Sequence, residues 1–406
     1  MKINSNNDCT LKDIRISTSY SGIKKTLYCE DDLLLIEFEK NSVIAGVFTQ
    51  SLTSSASVNQ CKKNLMTSKE NEVRAIVVNS GNANAFTGKL GDETVFKITR
   101  YISKKLKCNE NQIYTASTGV IGEQLDYNKI IKSLKLMKPF KKPLWEKAAN
   151  AIKTTDTFSK VVKKTCKING IKIDIVGIAK GSGMIAPNMA TMLCFIFTNA
   201  NLSSSVLQKL IVSANDKSFN SITVDNDTST SDTVLLTSTR KAKHQIITNF
   251  SDKLLREFKT SLSNVMLELA KLIVQDGEGA SKFITVTVKG AVSKKSAKMI
   301  GFSVANSPLV KTAIAGEDAN WGRIIMAIGK SGQRANRDKI KIYIGKELVT
   351  KDGMVYENYS EERATKHLKQ SKISLTIDVG VGNSSATVYT CDLTHEYIKI
   401  NADYRS

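Results

Sequence analysis

The sequence has little of what marks a membrane or secreted protein. No apolar run approaches the ~20 residues that a membrane-spanning helix needs, and the start, Met1 to Ser5, has no apolar core of a secretion signal. We therefore expect a cytoplasmic protein with no membrane partner. Apolar residues make up 41% of the chain and charged residues 24%, which is typical of a globular protein.

The cysteines lack any spacing that would pair them. They are seven in number, at positions 9, 29, 61, 108, 166, 194 and 391, with no C-x-x-C pair and no histidine nearby. This pattern argues against disulfides and against structural zinc. We expect reduced thiols and no metal.

Acidic residues are outnumbered, with 38 Asp and Glu against 59 Lys and Arg, so the net charge is +21. Such a charge attracts phosphates, acidic metabolites or nucleic acid. The lysines are spread in pairs along the whole chain, and aromatic residues are only 6%, whereas a nucleic-acid face usually concentrates its basic residues. A solvated basic surface is favoured, with no nucleic-acid partner; a basic RNA- or DNA-binding protein stays the alternative.

Two periodicities alternate along the chain and predict a mixed α/β fold. Residues 95–102 and 253–275 carry apolar side chains at the three-and-four spacing of amphipathic helices. Apolar runs rich in β-branched residues predict strands at 33–38, 43–49, 75–78, 171–178, 192–198, 233–236, 283–288, 339–344 and 373–379. Gly, Asn and Asp predict loops at residues 79–84, 181–183 and 316–320. Neither an internal repeat nor a linker marks a domain boundary.

The segment from Lys180 to Thr198 joins a glycine loop to an apolar strand that starts near a hydroxyl, Thr191. In a strained loop the Thr191 hydroxyl can attack the carbonyl of Ala190, and cleavage there would give Thr191 a free α-amine. An α-amine has a pKa of about 7.7–8.0 and can act as general base for the hydroxyl of the same residue. Acyl transfer would then need none of the three histidines. From local sequence alone, an ordinary turn and an ordinary strand residue remain the alternative.

This segment reads K-G-S-G-M-I-A-P-N-M-A-T-M-L from Lys180 to Leu193, and it resembles the hallmark of the ornithine acetyltransferase family, which comprises bifunctional glutamate and amino-acid N-acetyltransferases. Further blocks similar to that family follow one another in order along the chain. They begin at Gly46 (G-V-F-T), Val78 (V-N-S-G-N-A-N-A), Ala116 (A-S-T-G-V-I-G), Ala151 (A-I-K-T-T-D-T), Ile222 (I-T-V-D-N-D-T), Asp276 (D-G-E-G-A-S-K), Gly316 (G-E-D-A-N-W-G-R-I) and Asn401 (N-A-D-Y-R-S).

The resemblance implies a fold, an activity and an assembly. The fold would be the αββα-type sandwich of ornithine acetyltransferases and self-cleaving aminopeptidases. The precursor would be cut into an α chain, 1–190, and a β chain, 191–406, which stay associated as α2β2. The enzyme would move acetyl from N2-acetyl-L-ornithine to L-glutamate through acetyl-Thr191, without a cofactor; the resemblance leaves open whether acetyl-CoA is a second donor. A self-processing threonine amidase or aminopeptidase, which passes the acyl group to water, is the alternative.

The resemblance also implies the site residues. Thr118 and Gly119 would hold the oxyanion. A lysine suits a substrate carboxylate and a glutamate suits a substrate ammonium. The residues implied to bind substrate are Thr154, Lys180, Thr191, Glu278, Asn401 and Ser406.

Overall fold

The computed structural model describes residues 11–24, 29–186 and 192–402. The predicted cleavage site, Ala190 and Thr191, and Ser406, which the resemblance implies to bind substrate, lie outside these ranges. The described strands are β1 Ile14–Ser19, β2 Leu33–Phe38, β3 Val43–Phe48, β4 Ala75–Asn82, β5 Ile113–Val120, β6 Lys160–Ile168, β7 Ile171–Lys180, β8 Leu193–Thr198, β9 Thr233–Ser238, β10 Phe283–Ala291, β11 Lys341–Ile344, β12 Glu347–Lys351, β13 Met354–Val355, β14 Lys372–Asp378 and β15 Ser384–Cys391. The helices are α1 Ala56–Thr67, α2 Gly88–Leu106, α3 Tyr127–Leu136, α4 Trp145–Ala151, α5 Ser204–Asp216, α6 Arg256–Gln275, α7 Lys294–Ala305, α8 Pro308–Ala315, α9 Trp321–Gly329, α10 Glu361–Leu368 and α11 His395–Ala402.

The chain forms two compact units. The first comprises Met1–Gly181, Asn188–Asn220 and Thr228–Ile273, and the second comprises Ser182–Pro187, Ser221–Asp227 and Val274–Ser406. Neither unit coincides with residues 1–190 or 191–406, which the sequence analysis treats as cleavage products. That cleavage stays a prediction.

Two sheets form the centre of the first unit. One has four strands in the order β1-β2-β4-β5, and the other has five in the order β3-β9-β8-β7-β6. Side chains of both sheets share one buried apolar cluster, in which the rings of Phe38 (β2) and Phe197 (β8) stack 6.1 Å apart. The two sheets therefore pack face to face.

Helices cover the outer faces of these sheets. In β2, Leu34 and Ile36 point into the shared cluster, whereas Leu33 and Leu35 join a second cluster with residues of α2 and α3, as the alternation of a strand requires. On the five-stranded sheet, Gly177 faces α6 so closely that a β-carbon there would lie 2.6 Å from Leu269. The layers are helix, sheet, sheet, helix, which confirms the predicted αββα sandwich for this unit.

The second unit is built on a six-stranded sheet in the order β13-β12-β11-β14-β10-β15. Ile284 and Val286 of β10 and Leu375 of β14 point from this sheet into one apolar cluster with Ile300 of α7 and Ile328 of α9. Helices thus cover this face of the sheet. Throughout the described ranges, no helix is both long enough and apolar enough to cross a membrane.

The loop prediction over residues 79–84 is wrong for its first four residues. Residues 79–82 complete β4 and pair in parallel with the end of β5. Glycine and asparagine favour turns, but here the backbone hydrogen bonds to β5 decide the conformation. The other two predicted loops are confirmed, because residues 181–183 and 316–320 lie outside helices and strands apart from the helix cap at Gly316.

Candidate active site

Thr118 and Gly119 lie at the end of β5, beside β4, in the first unit. Gly119 pairs with Gly81 and has a φ of +130°, and Gly81 has a φ of +98°. A β-carbon on Gly119 would lie 2.2 Å from a backbone atom of Gly81, a distance at which no side chain fits. Glycine is therefore required here, because it alone combines this conformation with such close strands.

Lys180 is the last residue of β7 and is buried, with 2% of its surface exposed. Its Nζ donates a hydrogen bond of 3.1 Å to Oγ1 of Thr118. The Thr118 hydroxyl thus accepts from an ammonium group, and its own proton can be donated elsewhere. A hydroxyl polarised in this way suits stabilisation of a developing oxyanion. The structure therefore brings Thr118, Gly119 and Lys180 together.

Asp156 binds two backbone N–H groups and one lysine side chain of this unit. It lies two residues after Thr154, in the loop between α4 and β6, and its Oδ2 accepts the Thr154 backbone N–H (3.1 Å). Its Oδ1 accepts from Lys160 Nζ (2.6 Å) and from the Gly181 backbone N–H (2.6 Å). Burial alone would raise the pKa of Asp156, but the charges of Lys180 and Lys160 and the Gly181 hydrogen bond outweigh burial and lower this pKa to about 2. Asp156 is therefore ionised at neutral pH.

Asp232 contacts Met192, the residue that follows Thr191 in the chain. It is fully buried, and its Oδ1 accepts the Met192 backbone N–H at 2.8 Å. Among the described residues its Oδ2 has no hydrogen-bond partner. Burial raises the pKa of Asp232 well above its usual range, although Lys180 opposes this shift. Removal from water thus favours the neutral form of this carboxyl group.

Glu278 and Asn401 lie in the second unit, where Asn401 Nδ2 donates to Glu278 Oε2 (2.9 Å). Glu278 follows α6, and its backbone N–H donates to the Ser182 carbonyl (2.9 Å). Gly183 leaves room for the carboxylate, since a β-carbon there would lie 2.3 Å from Oε2. The glycine loop thereby shapes the surroundings of Glu278.

Asp225 holds the same loop in the second unit. Its two oxygens accept the backbone N–H groups of Met184 (2.6 Å) and Ile185 (2.8 Å). The Tyr397 hydroxyl of α11 also lies 3.4 Å from Asp225. One carboxylate therefore ties the loop to the helix that carries Asn401.

Sequence reasoning missed Asp156, Lys160, Asp225 and Asp232 as parts of these arrangements. Three of them, the aspartates, stand inside or next to blocks that resemble the family. The signal that could have indicated these three aspartates is an acidic residue inside or beside a sequence block rich in neutral and hydroxyl side chains. Among the described residues, no group of three His, Cys, Asp or Glu side chains is arranged to hold a metal ion.

The family model described as the ArgJ family matches residues 15–406. The chain belongs to the ArgJ family. It is 48% identical over 393 residues to the arginine biosynthesis bifunctional protein ArgJ of Zymomonas mobilis, covering 97% of this chain and 95% of that protein. It is also 48% identical to the protein of the same name from Mesorhizobium japonicum, covering 98% and 96%.

Among solved structures, the arginine biosynthesis bifunctional protein of Bacillus halodurans is 39% identical to this chain. The match covers 50% of this chain and 95% of that one, with a TM-score of 0.48. The predicted resemblance to the family is confirmed by the sequence matches, independently of this structural comparison.

Proposed function

We propose that this member of the ArgJ family cleaves itself between Ala190 and Thr191 and then transfers acetyl groups through an ester on Thr191. The donor is N2-acetyl-L-ornithine and the acceptor is L-glutamate. Residues 1–190 and 191–406 stay associated after cleavage, as an α2β2 assembly in the cytoplasm. No cofactor takes part, and acetyl-CoA is a candidate second donor.

The broader activity follows from family membership. The chain is an acetyltransferase of arginine biosynthesis, because it matches the family over almost its whole length and its relatives are named as bifunctional proteins of that process. The predicted enzyme class is thereby confirmed. The cleavage, the threonine ester and the individual substrate contacts are the parts that we propose.

One observation carries the proposal: a buried ammonium, Lys180, hydrogen-bonds to the hydroxyl of Thr118, next to Gly119. Acyl transfer from an amide needs donors where negative charge develops on the carbonyl oxygen. The Thr118 hydroxyl and the Gly119 backbone N–H supply such donors, and Lys180 supplies a positive charge for a substrate carboxylate. An amino-acid derivative carries both groups that this arrangement can bind.

The proposed reaction has two balanced halves. In the first, Thr191 Oγ attacks the acetyl carbonyl, its proton passes through the Thr191 α-amine to the departing nitrogen, and the amide C–N bond breaks to release ornithine. In the second, the glutamate amine attacks the ester, and the proton that it loses returns to Thr191 Oγ as the C–O bond breaks. N-acetylglutamate leaves, and the threonine is regenerated.

The remaining substrate contacts are carried over from the resemblance. We assign Glu278 to a substrate ammonium, and Thr154, Asn401 and Ser406 to orienting hydrogen bonds. The bond from Asn401 to Glu278 supports a shared role for these two residues. The bond from the Thr154 backbone to Asp156 supports a fixed position for that threonine.

Isotope transfer tests the reaction. The purified protein is incubated with N2-acetylornithine labelled in the acetyl group, with and without glutamate, and the products are separated. We expect labelled N-acetylglutamate in amounts equal to the ornithine released. Release of ornithine with labelled acetate, but without labelled acetylglutamate, would instead support the amidase alternative.

A further inference from the structure

Lys311 is a buried lysine of α8 in the second unit, with 4% of its surface exposed. Its Nζ donates to the Val224 carbonyl oxygen (2.8 Å), to Oγ1 of Thr390 (3.1 Å) and to the Cys391 carbonyl oxygen. An ammonium group has three N–H donors, so each of them has an oxygen acceptor here. Lys311 therefore ties the segment around Val224 to the end of β15.

The two residues whose carbonyl groups Lys311 binds lie against Gly277. A β-carbon on Gly277 would lie 2.9 Å from Sγ of Cys391 and 3.4 Å from a methyl group of Val224. Gly277 directly precedes Glu278, to which we assign a substrate ammonium. One side of the surroundings of Glu278 is thus formed by residues that Lys311 holds.

The segment around Val224 also holds the glycine loop of the same unit. The Val224 backbone N–H donates to the Ile185 carbonyl oxygen (2.8 Å), and the next residue, Asp225, accepts the Ile185 backbone N–H (2.8 Å). Gly183 of this loop is the residue that leaves room for the Glu278 carboxylate. A second side of the surroundings of Glu278 therefore also depends on the position of residues 224–225.

A side chain without N–H donors cannot replace Lys311. Val224, Thr390 and Cys391 are themselves buried, so water does not reach their oxygens to replace the lysine. Methionine has a similar length but no donor, and buried acceptors that lose their partners destabilise the conformation that holds them. Lys311→Met should consequently shift residues 224–225 and, with them, the groups beside Glu278.

We propose that Lys311 is a positioning residue for the substrate ammonium: by holding Val224 and Cys391 in place, it fixes the surroundings of the Glu278 carboxylate. This inference rests on the proposed function, in which Glu278 binds that ammonium. It goes further by assigning the strength of that contact to a residue on a different element, α8.

The test compares two donors, N2-acetylornithine and N2-acetylnorvaline, which differ by the side-chain ammonium that Glu278 would bind. In Lys311→Met, KM for N2-acetylornithine should rise about tenfold, the usual effect of losing one hydrogen bond to a charged group. KM for N2-acetylnorvaline should stay within about threefold of wild type, and kcat should change less than KM. An equal rise for both donors, or no rise for either, would overturn the inference.

Lys282→Met is the matched control. Lys282 is also a buried lysine of the second unit, 8% exposed, and its Nζ donates to the Leu368 carbonyl oxygen (2.8 Å) and pairs with Glu317 (3.1 Å). We expect Tm to fall in this variant as it does in Lys311→Met, while KM for each donor stays within about threefold of wild type. If the control raises KM for N2-acetylornithine as much as Lys311→Met does, the inference is overturned.

Glu278→Gln separates this inference from the proposed function. If Glu278 binds the ammonium, this variant loses the preference for N2-acetylornithine; wild-type KM values for both donors would overturn that assignment. If Glu278→Gln loses the preference but Lys311→Met keeps it, only the inference about Lys311 is overturned. For a wild type that transfers no acetyl, dissociation constants of the same two compounds, measured by calorimetry, replace KM in every comparison.

Lys311→Gln decides if Lys311→Met does not fold. Glutamine keeps two N–H donors, one bond closer to the backbone, and has no charge. A folded Lys311→Gln should raise KM for N2-acetylornithine alone. Unchanged KM values, or failure of both variants to fold while Lys282→Met folds, would overturn the inference in favour of a purely structural lysine.

Discussion

Gly119 and Gly81 face each other across β5 and β4 so closely that a β-carbon on Gly119 would lie 2.2 Å from the Gly81 backbone. Both residues have positive φ angles, which L-residues with side chains rarely adopt. Gly119, which is proposed to hold the oxyanion, can therefore lie this close to β4 only because it is a glycine. Any side chain at residue 119 must push the two strands apart.

Gly119→Ala should therefore abolish most acetyl transfer. We expect kcat to fall by about 10²–10³, the usual effect of losing one oxyanion donor. Gly122→Ala is the matched control, since Gly122 also has a positive φ, of 84°, but a β-carbon there would meet nothing within 4 Å. That control should keep kcat within about threefold and lose about 1–2 kcal/mol of stability to backbone strain. Equal losses of kcat in both variants would contradict a specific role for Gly119.

Gly183→Ala should act through Glu278. No positive φ is needed at Gly183, so its substitution adds no backbone strain, but the new β-carbon would lie 2.3 Å from the Glu278 carboxylate and displace it. Glu278 is proposed to bind a substrate ammonium group. We expect KM for the substrate that carries this group to rise about tenfold, while Tm changes only modestly.

A double-mutant cycle isolates this effect. In a Glu278→Ala background the displaced group is gone, so Gly183→Ala should add less than about twofold to KM. Additive effects of the two substitutions would show that Gly183 acts on something other than Glu278.

Asp232→Asn should change how stability depends on pH. Burial raises the pKa of Asp232 in the folded protein, whereas the pKa of an unfolded aspartate is about 3.9. Below pH ~4 the carboxyl is neutral in both the folded and the unfolded protein, and the folded protein has its full stability. As the pH rises towards the folded pKa, the unfolded aspartate ionises first, and this part of the stability is lost. Asparagine keeps an oxygen for the Met192 N–H and cannot ionise.

The difference in Tm between Asp232→Asn and wild type should consequently grow in favour of the variant between pH 4.5 and pH 8. Differential scanning calorimetry across that range measures it, with Asp338→Asn as a control because Asp338 is exposed. A difference that is constant with pH would show that Asp232 is ionised in the folded protein.

The sequence predicted best those elements whose own residues decide their structure. The apolar run at residues 33–38 is β2, with the same ends, because every side chain in it is buried. The helix predicted at 253–275 begins as a single 3-10 turn and becomes α6 at Arg256. In both cases the pattern of apolar side chains matches the surfaces that the element buries.

β5 and β6 escaped prediction because their patterns are ambiguous. β5 is rich in threonine and serine, and β6 contains four lysines in nine residues. Pairing with strands distant in sequence makes them regular: β5 pairs with β4, and β6 pairs with β7 along its whole length. Such partners are not visible in a local window.

The candidate site was predictable in its residues but not in its contacts. Resemblance to a family indicates Thr118 and Lys180, which are 62 residues apart, yet only the fold shows that their side chains are hydrogen-bonded. Asp156 and Asp232 were missed because an isolated aspartate in a sequence is usually exposed. Their burial depends on how β6 to β9 are arranged.

The central claim is that Thr191 becomes an N-terminal nucleophile, and an intact-mass spectrum of the purified protein tests it most directly. Wild type is incubated beside Thr191→Ala, and both are measured at intervals. We expect wild type to give two fragments, corresponding to residues 1–190 and 191–406, and the variant to stay whole. A wild-type chain that remains uncut after prolonged incubation would contradict the self-cleavage and, with it, the α-amine base on which the proposed mechanism depends.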